Sequence, residues 1–565
     1  MTSWRLYSLM ALPCLGLLAP VAARADDPLL FEHISAPAGA ALHALPDTTS
    51  MSILLSLPFS DPAGAQRFAA AVSDPHNALY GKYLTPAAFG ARFGGDAKNY
   101  EFLRNWGQAH GFIVGERTDS RVTLTLTGTA GQFARLFHTS FAAFHTDEHG
   151  DGRIMTSAPA MPAELAGKIS GVVGLSSIGN FAPFAKLRPA GSPIDVGTGK
   201  AGAYSPSDIR TAYNIPAQTS GSKTETVGLF EEAGYKASDI TKFNTQYKLP
   251  TIPITVRAVD GSSTKSSSGV EPEVALDIDT VTGMNPSLAG IFLYVDAKDS
   301  FSVQLVDAFE LMAQDDVAQT ISVSYGVDEV TQGVPGIQAE NQALTQLVSQ
   351  GQTVFVSAGD DGAAGRTGKN GAVNASDPAS QPLVTAVGGT TLETKTAGGP
   401  WLSETVWNDL SSGNGATGGG ISTVWSIPSW QVVNGVSVAV ANGGSSTMRN
   451  EPDIAADADP KTGYSVYIGA FPYDGWTAVG GTSLSSPLWA GMTTIIDSDR
   501  VANSLPRVGF FDPELYQLGP IGTGFHDITV GNNGTPGYTA GPGYDNVSGW
   551  GSINLGALLP SFGVK

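Results

Sequence analysis

Apolar and polar residues alternate in two stretches of the first third of the chain, as half-buried strands require. The stretches are residues 52–57 (Ser-Ile-Leu-Leu-Ser-Leu) and 121–127 (Arg-Val-Thr-Leu-Thr-Leu-Thr). Strands interleaved with helices predict a small α+β unit, which we place at residues 26–183. Three segments of this unit have helical spacing: 62–72, 97–110 and 130–138.

Beyond about residue 204 the pattern changes to short apolar runs separated by helical stretches. Such runs, ending in small or polar residues, predict parallel strands buried on both faces, with functional groups at their carboxyl ends. Residues 204–565 are therefore predicted to form an α/β unit with a parallel sheet and flanking helices. The predicted strands are Val227–Phe230, Gly290–Val295, Thr320–Ser324 and Val354–Ser357, and the intervening helices are 308–315 and 337–350.

Two segments flank the α+β unit. Arg5, an apolar run over 6–21 and Ala23-Arg24-Ala25 predict a secretory signal peptide at residues 1–25. Residues 184–203 are rich in Pro, Gly, Ala and Ser, which predicts an exposed linker open to proteolysis. No later apolar run is long enough to cross a membrane, so we expect an exported protein without a membrane partner.

Charge and cysteine content narrow the classes of function. The net charge of −20 falls entirely after residue 190, because acidic and basic residues balance before it. An acidic body disfavours nucleic acid as a partner. A chain poor in Lys and Arg also accumulates less positive charge when its carboxylates protonate, which favours stability at low pH. Acidity that serves solubility alone would give the same composition. The only cysteine, Cys14, lies in the predicted signal, so the exported chain would hold no disulfide.

A candidate nucleophile lies at residues 480–487, Gly-Gly-Thr-Ser-Leu-Ser-Ser-Pro, just before an apolar helical stretch that we expect to begin near Leu484 with Pro487 in its first turn. Gly-Thr-Ser is also an ordinary way to begin a helix. A serine nucleophile needs a base, usually histidine. Seven of the eight histidines lie in the first 150 residues, and only His526 shares the C-terminal part with Ser483. A different base is therefore expected.

Carboxylates are the candidates for that chemistry. Glu273 and Asp277 stand one turn apart on a helix predicted to begin near Pro272, and their mutual repulsion raises a pKa. A carboxylate near its own pKa is a useful base, while a solvated acidic face has the same spacing. Asp360 follows the apolar strand 354–357, where it is suited to orient a partner, bind metal or, when protonated, donate to an oxyanion. An ordinary turn aspartate gives the same pattern.

The C-terminal segment carries a candidate cation site. Asp527 and Asp545 are separated by a loop rich in Gly and Asn, whose backbone carbonyls are available as ligands. Carboxylate and carbonyl oxygens are what Ca²⁺ binds, although a Gly-rich hairpin explains the composition too.

In this order along the chain, the motifs resemble the sedolisin family of serine-carboxyl peptidases, with a pro-kumamolisin-type activation domain. Residues 79–86 and 169–176 are similar to prodomain motifs, and residues 204–215 to the start of the mature enzyme. The resemblance implies a subtilisin-like α/β fold preceded by an α+β prodomain. It also implies a secreted, acid-acting endopeptidase that hydrolyses protein or peptide substrates. The prodomain would serve as inhibitor and folding aid, and a monomer is expected.

The resemblance assigns a role to each candidate. Ser483 would be the nucleophile, Glu273 its base, Asp277 the residue that orients and tunes the base, and Asp360 the oxyanion-stabilising acid. Glu231 is similar to an outer acid of a proton network that includes a Trp in kumamolisin-like members, where this chain has Ser324-Tyr325-Gly326. One Ca²⁺ would be bound by Asp527, Asp545 and the backbone oxygens of Ile528, Gly541 and Gly543.

Two other functions fit parts of the sequence. A subtilisin-type enzyme shares the Gly-Thr-Ser turn, but it needs a histidine upstream of Ser483, and residues 150–525 contain none. A secreted binding protein that keeps the peptidase fold without activity is the second alternative. The presence of all four catalytic positions disfavours it.

Overall fold

The computed structural model describes residues 30–32, 34–37, 39–146, 150–177, 182–189, 196–216, 224–297, 301–366, 372–433, 435–469 and 473–563. The predicted signal peptide, with Cys14, lies outside the described residues, as do residues 190–195 of the predicted linker.

The N-terminal unit is built on a four-stranded antiparallel sheet. Its order is Ile113–Val114, Thr123–Thr129, Ser50–Ser56 and Gly171–Val173. The predicted strands and helices of this unit are all present, with ends within two residues of those expected. Its helices are Pro62–Ser73, Pro86–Arg92, Ala97–Ala109 and Ala130–Leu136, and a second sheet joins His43–Ala44, Phe141–Thr146 and Gly150–Met155.

The second unit is built on an eight-stranded, mostly parallel sheet, which we call the central sheet. All four predicted strands belong to it and are parallel. Its first six strands lie in the order Ile254–Ala258, Gly290–Val295, Thr226–Glu231, Thr320–Val323, Thr353–Ser357 and Thr385–Thr394. The last of these pairs with Ile454–Asp457 in parallel and with Trp401–Val406 in antiparallel orientation.

Helices cover both faces of the central sheet, as predicted. The carboxylate helix (Glu271–Met284) and the serine helix (Thr482–Ala502) pack in the same hydrophobic core as Leu229. The next strand residue, Phe230, points to the other core, which contains helices Phe301–Asp315 and Val334–Ser349. Shorter helices are Pro206–Ala212, Ala237–Tyr247, Glu329–Gln332, Asp512–Leu518 and Leu555–Leu558.

The N-terminal unit docks on the two helices of that second face. Thr125 Oγ1 donates to both carboxylate oxygens of Asp307 over 2.8 Å, and Ser120 Oγ donates to Glu310 Oε2 over 2.7 Å. Apolar side chains from both units form one buried cluster: Leu54, Val173, Val303, Val306 and Ala339. The same unit also contacts the end of the serine helix, where Arg500 Nη2 donates to Tyr80 Oη over 3.0 Å.

The predicted linker is not exposed along its first residues, contrary to expectation. Two strands, Tyr325–Asp328 and Gly475–Gly480, which we call the cleft strands, enclose it. Ala182–Pro183 pairs with the first and Lys186–Leu187 with the second. Main-chain pairing requires no apolar periodicity, so composition gave no sign of it. Within the described part of the chain, no helix is long and apolar enough to cross a membrane.

Candidate active site

Ser483 and Glu273 meet at the N-terminal ends of two neighbouring helices. The carboxylate helix begins two residues before Glu273, with Pro272 in its first turn as predicted. Ser483 Oγ donates a hydrogen bond of 2.9 Å to Glu273 Oε2, and both side chains are fully buried. The serine therefore has a carboxylate where a serine peptidase commonly has an imidazole.

Close packing of the two helices fixes this contact. A methyl group on Gly491 of the serine helix would lie 2.7 Å from Met284 Cβ, at the end of the carboxylate helix. Since Ser483 and Glu273 meet at the other ends, the helices run in the same direction. Both positive helix ends therefore point into the site, where they favour negative charge.

The serine helix begins at Thr482, two residues earlier than predicted, so Pro487 lies inside it and not in its first turn. Proline has no N–H, so it leaves the carbonyl of Ser483 without its usual helical donor. Ser324 Oγ lies 3.5 Å from that carbonyl oxygen. The hydroxyl group of Ser324 thus lies near the Ser483 carbonyl that Pro487 leaves without a helical donor.

Asp277 lies one turn after Glu273, fully buried, and both its oxygens accept from Ser324 Oγ, over 3.0 and 2.9 Å. No hydrogen bond joins Asp277 to Glu273 among the described residues, so the two interact through charge. Burial, and after it the charge of Asp277, holds the pKa of Glu273 well above its usual range. Burial and the charge of Glu231 do the same for the pKa of Asp277. Glu273 and Asp277 therefore retain protons at a higher pH than ordinary carboxyl groups do.

Asp360 reaches the site from the carboxyl end of the central sheet, as predicted. Its Oδ1 accepts from the backbone N–H and from Oγ1 of Thr482, over 2.7 and 2.8 Å. Its Oδ2 is buried and makes no hydrogen bond with any described residue. Burial raises the pKa of Asp360 to about 7, against the lowering effects of Lys186 and Thr482. Below that pH, Oδ2 carries a proton without a partner.

An outer pair extends the carboxyl cluster. Tyr325 Oη donates to Glu231 Oε2 over 2.8 Å, and both side chains are fully buried. Burial first, and then the charge of Glu273, raise the pKa of Glu231 well above its usual range. The resemblance implied a Trp at the strand end where this chain has Tyr325. The hydroxyl group of Tyr325 makes the hydrogen bond to Glu231 from that strand end.

His526 takes no part in this site. Its ring stacks on Trp401 with centroids 4.0 Å apart, and burial lowers its pKa to about 4. Among the described residues, Ser483 Oγ contacts only Glu273 and the carbonyl of Ser324 through hydrogen bonds. No imidazole in the described chain is hydrogen-bonded to the serine.

The candidate cation loop brings its two carboxylates to one turn. Gly543 N–H donates to Asp527 Oδ2 over 3.0 Å, and Gly541 N–H donates to Asp545 Oδ2 over 2.8 Å. Asp527 is exposed, whereas Asp545 and Ile528 are buried. The described residues contain no group of three or more His, Cys, Asp or Glu side chains arranged for a metal. Two carboxylates plus carbonyl oxygens nevertheless form an all-oxygen set suited to a hard cation.

Three contacts of the site escaped the sequence analysis. Ser324 appeared only as the end of a predicted strand and as part of a tripeptide, and Thr482 only as a neighbour of the serine. Ala185 was assigned to an exposed linker, yet its N–H donates to Glu273 Oε2 over 2.9 Å. Each contact joins segments at least 47 residues apart, so local spacing carries no signal for it.

Comparisons with known proteins identify the family. Residues 38–178 match the pro-kumamolisin activation domain, and residues 260–507 match the subtilase family. The chain is 33% identical to xanthomonalisin of Xanthomonas sp. (strain T-22), over 92% of this chain and 66% of that protein. It is 30% identical to sedolisin of Pseudomonas sp. (strain 101), over 93% and 89%, and 31% identical to kumamolisin of Bacillus sp. (strain MN-32), over 91% and 92%.

A solved structure gives the same answer. Pseudomonas sedolisin, a serine-carboxyl proteinase complexed with two molecules of pseudo-iodotyrostatin, matches with a TM-score of 0.56 at 33% identity. The match covers 64% of this chain and 98% of that one. The predicted subtilisin-like fold with a preceding prodomain is confirmed. On sequence and on structure, the chain belongs to the sedolisin family of serine-carboxyl peptidases.

Proposed function

We propose that this serine-type peptidase is an acid-acting endopeptidase made as a proenzyme, with Ser483 as nucleophile and Glu273 as its base. The observation that carries the proposal is the buried hydrogen bond of 2.9 Å from Ser483 Oγ to Glu273 Oε2. A nucleophile and its base must lie within hydrogen-bond reach, and this pair does.

The chemistry follows from that pair. Glu273 takes the proton of Ser483 as the Oγ attacks the peptide carbonyl, and then gives it to the leaving nitrogen. Water hydrolyses the resulting acyl-enzyme with Glu273 again as base. Asp277 acts through its charge, which raises the pKa of Glu273 and makes it a stronger base once ionised.

Asp360 supplies the oxyanion donor in this proposal. Protonated Oδ2 is buried without a partner and is therefore free to donate to a developing oxyanion. The backbone N–H of Ser483 lies in the first turn of its helix, where N–H groups have no intrahelical acceptor. The two donors would share the charge.

The pH dependence follows from the carboxyl groups. Above about pH 7 Asp360 loses its donor proton, because that is where its pKa lies. Far below the pKa values of the cluster, Glu273 is fully protonated and cannot act as base. We therefore expect a bell-shaped profile on the acid side of neutrality.

The N-terminal unit acts as inhibitor and folding aid in this proposal. Residues 182–188 fill the cleft between the cleft strands, which keeps other peptides out. The apolar contact of the two units would also support the helices Phe301–Asp315 and Val334–Ser349 during folding. We further propose export through the signal at residues 1–25 and a monomeric protein.

We also propose one Ca²⁺ at the C-terminal loop. Asp527, Asp545 and the carbonyls of Ile528, Gly541 and Gly543 would hold it, and the ion would tie the loop to the strand Phe525–His526. Its role is to stabilise this loop, since the proposed reaction uses only residues of the cleft.

Casein digestion tests the proposal. Wild-type protein should digest casein faster at about pH 3 to 5 than at about pH 7, where Asp360 is half ionised, and should lose activity above that pH. Ser483→Ala should abolish digestion, whereas Ser485→Ala, a neighbour whose Oγ donates to the carbonyl of Thr482, should retain it. A folded wild type without activity at any pH would favour the alternative of an inactive binding protein.

A further inference from the structure

A segment of the chain lies in the cleft as an extended strand, bonded on both sides. Pro183 is paired with Tyr325 of one cleft strand, and Lys186 with Gly480 of the other. Arg188 N–H continues the second pairing by donating to the carbonyl of Ala478 over 2.9 Å. A chain bound in this way exposes its main chain to whatever lies at the middle of the cleft.

The Phe184–Ala185 peptide lies at that middle. Ala185 N–H donates over 2.9 Å to Glu273 Oε2, the same oxygen that accepts from Ser483 Oγ at 2.9 Å. Phe184 N–H donates over 3.2 Å to the carbonyl of Ser324, which also accepts from Ser483 Oγ at 3.2 Å. The nucleophile thus shares both of its hydrogen-bond partners with the N–H groups of two consecutive residues, Phe184 and Ala185.

The carbonyl of the same peptide lies at the oxyanion donor. Gly481 has φ +92°, and a methyl group on it would fall 1.7 Å from the Phe184 carbonyl oxygen and 2.6 Å from Asp360 Oδ2. Only glycine leaves this space to the two oxygens. The carbonyl oxygen therefore lies where a protonated Asp360 would stabilise its negative charge.

Phe184 is buried beside the cleft, only 3% exposed, and borders a small cavity that Gly326, Gly359 and Arg366 also line. A methyl group on Gly326 would come within 3.0 Å of the ring, and one on Gly359 within 3.8 Å. The Arg366 guanidinium lies 5.1 Å from the ring centroid. Glycines in the wall and a cation over the ring suit an aromatic side chain at the position before the bond.

We propose that the proenzyme cuts its own chain between Phe184 and Ala185, within one molecule. The inference rests on the proposed function and adds the identity of the peptide bond that is cut. Ser483 Oγ would attack the Phe184 carbonyl carbon and give its proton to Glu273. As the C–N bond breaks, Glu273 passes that proton to the Ala185 nitrogen, leaving Phe184 esterified to Ser483. Water then releases the Phe184 carboxyl group and restores Ser483, so one water is consumed.

Cleavage would also favour dissociation of the bound segment from the cleft. The new Phe184 carboxyl group would lie buried beside Asp360 and Glu273, where burial disfavours its charged form, so the group would ionise more readily once it leaves for water. Cleavage of the Phe184–Ala185 bond would thus favour release of the segment from the cleft.

Fragment mapping tests the proposal. Purified full-length protein is moved from pH 7.5 to about pH 4 (within the ordinary carboxyl range), with an added peptide substrate, and intact masses are followed. The first products should be a fragment ending at Phe184 and one beginning at Ala185. Their rate constant should not change on tenfold dilution, and Ser483→Ala should show neither fragment.

Variants at the pocket sharpen the test. Phe184→Asp should slow this cut about tenfold or more, whereas Phe184→Leu should stay within about tenfold of wild type, the range that apolar pockets discriminate. Lys200→Asp, an exposed change in the same linker, should have no effect. If Phe184→Asp fails to fold, the wild-type masses still decide.

Three results would overturn the proposal. A first cut at another bond, with Phe184–Ala185 intact and the added peptide hydrolysed, would remove the assigned bond and leave the proposed function. A rate that falls with dilution would remove the intramolecular step. Failure to cut either the linker or the added peptide would overturn both this inference and the proposed function.

Discussion

The buried carboxyl groups of the cleft and of the C-terminal loop differ in how many donors surround them. In the cleft burial raises the pKa of Asp360 to about 7, and its described hydrogen-bond donors are the backbone N–H and Oγ1 of Thr482, both at Oδ1. In the loop Asp545 accepts from the N–H groups of Gly541, Val547 and Ser548 and from a hydroxyl, and its pKa rises less, to about 6. A buried carboxyl group with few hydrogen-bond donors is more readily protonated, whereas one with many donors is more readily ionised and able to bind a cation.

The largest expected effect is at the base. Glu273→Gln removes the proton acceptor of Ser483, so kcat should fall by about 10⁴-fold or more, as loss of the base does in other serine peptidases. Glu271→Gln, on the same helix and without a hydrogen bond to Ser483, is the matched control and should stay near wild type. Equal losses in both variants would show that the effect is structural. The measurement is peptide hydrolysis at the best pH of the wild type, after a peptidase of another family has cut the linker in every variant.

The oxyanion donor should come next. Asp360→Ala removes the Oδ2 proton and should lower kcat by about 10²- to 10³-fold, the cost of one oxyanion-hole donor. Asp361→Asn alters the neighbouring residue and should have little effect. If Asp360→Ala kept full kcat, another group would have to supply the donor.

Calcium should change stability and leave the cleft chemistry unaffected. A chelator should lower Tm by about 5 °C, as expected for a site near saturation in a large domain. Asp527→Asn should remove that response, and Asp474→Asn, another exposed aspartate, should preserve it. A chelator effect that persists in Asp527→Asn would place the ion elsewhere.

The smallest effect concerns pH and stability in Ser483→Ala, which cannot digest itself. Burial raises the folded-state pKa of Asp360 and Asp497 to about 7, and that of Glu451 to about 8. Groups with raised folded-state pKa values add stability that is present in acid and lost as pH rises through those values. Tm by calorimetry should therefore be higher at pH 5 than at pH 9. A higher Tm at pH 9 would show that the folded-state pKa values of these carboxyls are not raised.

The local part of the site was accessible from sequence. Glu273 and Asp277 were predicted one turn apart on a helix, and Asp360 at a strand end, because spacing alone decides such placement. Periodicity also predicted the strands and helices that hold them. The peptidase family and fold followed from the order of the motifs.

The long-range part was not accessible. Ser324 bonds Asp277 because a strand end meets a helix 47 residues away. Residues 184–188 were expected to be exposed, and the sequence carried no contrary sign because a segment held by main-chain pairing needs no apolar pattern. The helix start at Thr482 was missed by two residues because Pro487 fits a first turn better than a helix interior.

The most direct test of the central claim is the pH profile of kcat/KM for the processed enzyme, from pH 2 to 9, beside that of Asp360→Asn. Asn keeps a donor that does not titrate. Wild type should be active in acid and lose activity as pH rises toward about 7, where Asp360 ionises, and the variant should lose that decline or move it upward. A wild-type maximum at neutral pH, or identical upper limbs in both proteins, would contradict a protonated Asp360 as the oxyanion donor.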